Sequence, residues 1–117
     1  MNIFVFGSNL SGAHGAGAAA HASKYHGAVH GQGIGLHGTS YAIPTKDYAI
    51  KTLSLGEIKW YVDEFILCAK SHPQHQFEVT RIGCGLAGYR DEQIAPLFKD
   101  APENCRLPHG WRDEYNG

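Results

Sequence analysis

Two glycine-rich stretches carry the strongest chemical signal in this chain. The first is Gly7-Ser8-Asn9-Leu10-Ser11-Gly12-Ala13-His14-Gly15-Ala16-Gly17, and the second is Gly83-Cys84-Gly85-Leu86-Ala87-Gly88-Tyr89. Glycine loses more freedom on folding than any other residue, so crowded glycines point to backbone that turns tightly or comes close to a ligand. Where such a loop runs into a helix, exposed N–H groups and the helix dipole favour phosphate. Gly15 and Gly17 remove side chains that would block a pyrophosphate. A backbone concavity in the second stretch would grip the same phosphates from the other side. The first stretch lacks both the G-x-x-x-x-G-K-[ST] spacing of a triphosphate loop and a clean G-x-G-x-x-G after a strand. For either loop alone, a tight strand–helix turn without a ligand is the competing reading. Two such loops at neighbouring strand ends are more specific than one.

Single residues add candidates. Lys46 follows Pro44 and Thr45 at a strand end; it is a nucleophile only if its pKa is lowered, and otherwise a solvated surface lysine. Cys84, between two glycines, is either a thiolate activated near a helix N-terminus or a small residue completing the loop. The sequence assigns it no base, which favours the second. Of eight histidines, none falls in H-E-x-x-H or a Cys/His zinc pattern. No metal or cofactor is expected, and His14 is retained as a phosphate contact. Tyr89 suits a ribose or base, with apolar area and a hydroxyl handle, or else packs in the core on Ile94. Asp91 reads as the N-cap of the last helix, or as a displaced general base.

Several elements must position these residues. Asn2–Phe6 reads as a buried strand stopped by Gly7. Ala16 to His26 is alanine-rich and helical, with Gly27 as its C′ glycine. His30 to Ser40 is loop or hairpin, and Tyr41–Ile43 is a strand stopped by Pro44. Ser54 and Glu57 form a capping box, followed by Leu55, Ile58, Val62, Phe65, Ile66 and Ala69 at helical spacing. Gln76 to Ile82 is a third strand with Phe77, Val79 and Arg81 on one face. Asp91 to Phe98 is a short helix, kept short by Pro96. Cys105–Leu107 closes the pattern, and the polar tail from Arg112 is expected to fray. Alternation of this kind predicts an α/β fold with a largely parallel or mixed sheet and ligands beyond the carboxyl ends of its strands.

At 117 residues the chain has the length of one domain, expected to span 1–117. The apolar share of 43% against 18% charged excludes gross disorder. Ten basic residues against eleven acidic ones, a formal charge of −1, do not supply the concentrated positive charge that nucleic acids or anionic membranes require. No apolar run approaches the roughly 20 residues of a membrane helix, and the N-terminal run lacks a signal peptide's flanks. Three widely spaced cysteines give no disulfide framework. A cytoplasmic location follows as the expectation.

In its motifs the sequence resembles the macrodomain family, modules that bind ADP-ribose. Gly83–Tyr89 is similar to that family's S-T-G-[IV]-[FY]-G-[FY] loop, with Gly85, Gly88 and Tyr89 matching. Asn9 with Gly15-Ala16-Gly17-Ala18 resembles its first loop. The subgroup it most resembles contains terminal ADP-ribose protein glycohydrolase and the antitoxin that removes ADP-ribose from DNA, through Lys24-Tyr25-His26-Gly27, Tyr41 to Lys46 and Arg81 to Leu86. The resemblance runs in order over most of residues 3 to 99, and compact proteins with such motifs look like those of phages and bacteria. It implies a three-layer α/β/α sandwich. ADP-ribose, or a nucleotide derived from it, would lie between the loops, in contact with Ser8, Asn9, His14, Gly15, Ala16, Gly17, Gly83, Cys84, Gly85, Leu86, Ala87, Gly88 and Tyr89. Lys46 matches the subgroup's catalytic lysine, whereas its assisting aspartate is Ala87 here. Three functions stay open: a binding module, an ADP-ribosyl glycohydrolase, and a phage sponge that sequesters a nucleotide signal of host immunity. Nucleic acid enters only as an ADP-ribosylated substrate, and the location is the host cytoplasm for a phage protein.

Overall fold

The central strand, β1 (Asn2–Asn9), divides the core by simple alternation. Successive side chains of a strand point to opposite faces. Ile3 and Val5 therefore join one buried cluster, while Phe4 and Phe6 join another. The computed structural model describes residues 1–116 and places β1 in a five-stranded sheet with β2 (Gly35–His37), β3 (Ser40–Lys46), β4 (Gln76–Val79) and β5 (Cys105–Arg106). The order is β2-β3-β1-β4-β5; among these strand pairs β2–β3 is antiparallel and the other three are parallel. The chain is thus an α/β fold with a mixed, mostly parallel sheet.

Two strands run further than their sequences suggest. β1 is not stopped by Gly7: Gly7 and Ser8 pair with Ile43 and Pro44, and a register shift then sets Asn9 opposite Lys46. β3 likewise continues through Pro44. Proline cannot donate to a ladder, and it sits here next to a bulge, where the lost donor is tolerated. As a result, Asn9 and Lys46 sit side by side where two parallel central strands end. β4 runs less far than expected. It ends at Val79, so Arg81 falls in the turn beyond it, exposed rather than on a strand face.

The helices follow their local signals closely. α1 (Gly17–Tyr25) presents Ala19 and Ala22 to Phe6 and Ala42, and Gly27 follows its C-cap, His26. α2 (Leu55–Ser71) begins at the Ser54 capping box, with Glu57 N donating to Ser54 Oγ at 3.2 Å. It buries Ile58, Val62, Phe65, Ile66 and Ala69. Phe65 meets Tyr41, Phe77 and Phe98 edge to face, with centroids 5.1, 5.5 and 6.2 Å away. The segment from Asp91 splits at Pro96 into α3 (Asp91–Ile94) and a 3₁₀ turn (Ala95–Phe98). Arg90, not Asp91, is the N-cap of α3. Through Asn116 the tail is tied down rather than frayed; residue 117 lies outside the described residues. Trp111 is fully buried, Arg112 donates to the carbonyls of Ala101, Pro102 and Cys105, and Asn116 donates to those of Ala95 and Trp111. Among the described residues no helix is long and apolar enough to cross a membrane.

Candidate functional site

The carboxyl ends of β1, β3 and β4 open into a cleft of about 620 Å³. Both glycine-rich stretches border it. From the first come Ser8, Asn9, Gly15, Ala16 and Gly17, and from the second Gly83, Cys84, Gly85, Leu86 and Ala87, with Lys46 alongside. His14, Gly88 and Tyr89 are not among the lining residues.

The first stretch is built by its own side chains. Asn9 Oδ1 accepts hydrogen bonds from Ser11 Oγ (2.6 Å) and Ala13 N (2.9 Å), while Asn9 Nδ2 donates to Ala13 O (2.9 Å). This is the local side-chain-to-backbone bonding that makes asparagine a turn former. The segment 29–33 braces the loop from outside. A side chain at Gly12 would place its Cβ 2.3 Å from Gly31 C, and one at Gly33 would lie 1.9 Å from Asn9 O, so only glycine allows the two backbones to meet. His14 joins this brace: it is buried, its ring meets Phe6 edge-on at 5.4 Å, and Nε2 lies 3.2 Å from Gln32 O. At the inner end of the loop, α1 starts on Ala16 with no side-chain cap and no acidic residue in its first turn. A Cβ at Gly15 or Gly17 would meet nothing within 4 Å. The first-turn N–H groups therefore border open space, the arrangement in which a helix start attracts anions.

The second stretch is a turn closed by Gly88 N donating to Gly85 O (3.0 Å) and Tyr89 N to Gly83 O (2.9 Å). Tyr89 faces inward, with its hydroxyl donating to Leu53 O at 2.6 Å and its ring packed against the larger cluster. A Cβ at Gly83 would lie 2.9 Å from Ile94 Cδ1, whereas one at Gly85 would meet nothing within 4 Å. The Cys84 thiol points to Ile82 O and Asp91 Oδ1, at 3.6 and 3.7 Å. Burial, then the Asp91 charge, pushes its pKa up. These surroundings favour the neutral thiol and speak against the activated-thiolate reading.

The hydroxyls on the cleft floor face inward to backbone carbonyls. Ser8 Oγ donates to Gly33 O, Thr45 Oγ1 to Ser8 O and Thr80 Oγ1 to Val5 O. Recognition of a ligand thus falls to backbone N–H groups and to two cations, Lys46 and Arg81, the only charged side chains among the lining residues. Lys46 is in no ion pair among the described residues. Arg81 is bidentate to Asp91, with Nε and Nη2 each 3.0 Å from a carboxylate oxygen. Trp111 Nε1 donates to the same carboxylate at 2.9 Å. The hydrogen bonds from Arg81 and then Trp111 hold the Asp91 carboxyl below its usual range, which disfavours a role as displaced general base.

Arg81 escaped the sequence reading because the strand pattern continued through it; its place just before the second loop was the available signal. Ile50 also borders the cleft, and nothing in its surroundings in the sequence marks it. It sits at φ +63° in a short arm from Asp47 to Lys51. A β-branched residue there is a backbone outlier, worth about 1–3 kcal/mol of strain. Among the described residues no three His, Cys, Asp or Glu side chains gather as a metal set. Comparison with protein-family models, characterised proteins and solved structures finds no match for this chain.

Proposed function

We propose that the cleft binds ADP-ribose or a nucleotide derived from it, and that the chain is a compact relative of the macrodomains its motifs resemble. One observation carries this reading. An uncapped helix start, Gly15 and Gly85 with open space above them, and the cations Lys46 and Arg81 border a single cleft that no carboxylate lines. Such a site favours an anion that approaches the backbone closely, as a diphosphate does. About 620 Å³ lies within the usual range for small-molecule sites. The three-layer sandwich and a cytoplasmic setting, in a phage host or a bacterium, belong to the same proposal. Titration calorimetry of the full chain with ADP-ribose tests it. Saturable one-to-one heat is expected, and none at millimolar ligand overturns the reading.

Binding is preferred to turnover because Ala87 stands where the resembling glycohydrolases have their aspartate, and Asp91 is held by Arg81 and Trp111. Lys46 keeps the glycohydrolase reading testable, since it borders the cleft without an ion-pair partner. After incubation and heat denaturation, a binding module or sponge returns its ligand intact. A glycohydrolase returns cleaved product, and loses that activity in Lys46→Ala.

A further inference from the structure

Ile50 is the one non-glycine residue with positive φ among the described residues. The arm around it is held by backbone and Asp47. Asp47 N donates to Lys51 O (2.8 Å), Ile50 N to Asp47 O (3.1 Å), and Asp47 Oδ1 accepts from Ala49 N (2.8 Å) and Lys51 N (2.9 Å). Any residue but proline at position 50 can make these bonds. They explain how the strained conformation persists, not why isoleucine occupies it. Packing does not explain it either: Ile50 belongs to neither buried cluster and is 46% exposed. Glycine, asparagine or aspartate would suit the backbone better.

The side chain borders the cleft. Leu86, 79% exposed, borders the same cleft from the second glycine loop. The two loops are joined by Thr52 Oγ1 donating to Ala87 O (3.0 Å) and Tyr89 Oη to Leu53 O (2.6 Å). Two bare aliphatic groups, on loops fastened to each other, thus face a cleft whose charged side chains are both cations. Single exposed apolar residues need no explanation; a pair on one cleft, one of them held in a disfavoured conformation, does. We infer that Ile50 is a specificity residue which, with Leu86, receives the face of a planar heteroaromatic ring, while the α1 start and the cations take the ligand's phosphates. A flat ring covers both aliphatic groups at once and leaves its polar edge to water, so apolar burial on both sides drives the contact. This inference rests on the nucleotide reading above and adds the residue that distinguishes a nucleotide from a bare phosphate.

The test compares ADP-ribose with inorganic pyrophosphate, which lacks the ring, on the full chain and on Ile50→Asn and Ile50→Ala. Asparagine tolerates the left-handed backbone, so Ile50→Asn should melt at or above the parent's temperature. Both variants should bind ADP-ribose about fivefold or more weakly, the loss of one apolar contact, with pyrophosphate affinity within about twofold of the parent's. Unchanged ADP-ribose affinity overturns the inference. So does an equal loss for both probes, which would make the arm a phosphate support, and so does a lower melting temperature for Ile50→Asn, which would make Ile50 a packing residue. A parent that binds neither probe defeats the nucleotide reading itself; a parent that binds ADP-ribose while Ile50→Asn binds it equally well defeats the ring contact alone.

Discussion

Replacing Gly85 with valine separates ligand approach from folding, because the two demands on this glycine are unequal. Its φ lies outside the left-handed region, and a Cβ there meets no atom within 4 Å. The folded state therefore accepts a side chain without collision. Fewer conformations in the unfolded chain even offer about 0.4–1 kcal/mol of stabilisation. The same open space is where a diphosphate would lie against the loop. A branched side chain there keeps phosphate oxygens from the hydrogen-bond distance of about 3 Å that backbone donors require. The expected loss is tenfold or more in affinity, about 1.4 kcal/mol, and Gly85→Ala should fall between parent and valine. Calorimetry with ADP-ribose and a thermal melt of each variant are measured together. The counterpart is Gly33→Ala, whose Cβ would lie 1.9 Å from Asn9 O and which should melt far lower. A folded Gly85→Val protein that binds as tightly as its parent refutes the backbone cradle and leaves this glycine a turn former.

Asn9→Ala removes three hydrogen bonds within the first loop. It should lower stability by about 1–2 kcal/mol in denaturant titration and weaken ADP-ribose binding as well; a fully stable variant would show that the loop holds itself. Lys46→Ala should leave the melting temperature unchanged and flatten the dependence of ADP-ribose affinity on salt, as removal of a partly screened cation must; an unaltered salt slope would place Lys46 away from the ligand. Burial pushes the Cys105 thiol from an ordinary 9.0 up to about 11. Its neutral form is favoured by folding, so this stabilisation is complete below the unfolded pKa and is lost as pH rises from about 9 toward 11. The full loss amounts to about 3 kcal/mol. Cys105→Ala should show a shallower decline in that window, and an identical decline would assign it to other groups, such as Tyr41, pushed up to about 12.

The elements that could be read from sequence are those whose causes are local. α2 follows from a cap and its partner three residues apart and from apolar residues at helical spacing; each signal acts within a few turns of the helix. α1 follows from alanines closed by a glycine. Strand ends are another matter, because pairing is set by residues distant in sequence. Gly7 and Pro44 look like stops, yet each lies opposite the other strand's neighbouring residues in the ladder, and that ladder carries Asn9 and Lys46 to one edge. The two glycine loops are legible as loops from composition alone. Their meeting at one cleft depends on the β3-β1-β4 order, which brings three parallel strand ends together. Tertiary contacts also decided which polar residues face that space. His14 and Tyr89 have side chains that suit a ligand, but Gln32 O and Leu53 O lie within reach inside the fold, and both rings pack inward. Arg81 and Ile50 reach the cleft for the opposite reason. β4 stops at Val79, short of its apolar pattern, and the Asp47 turn forces Ile50 into the left-handed region. Residue type and spacing determined the segments; long-range pairing and the backbone's need for partners determined which atoms were left facing the cleft.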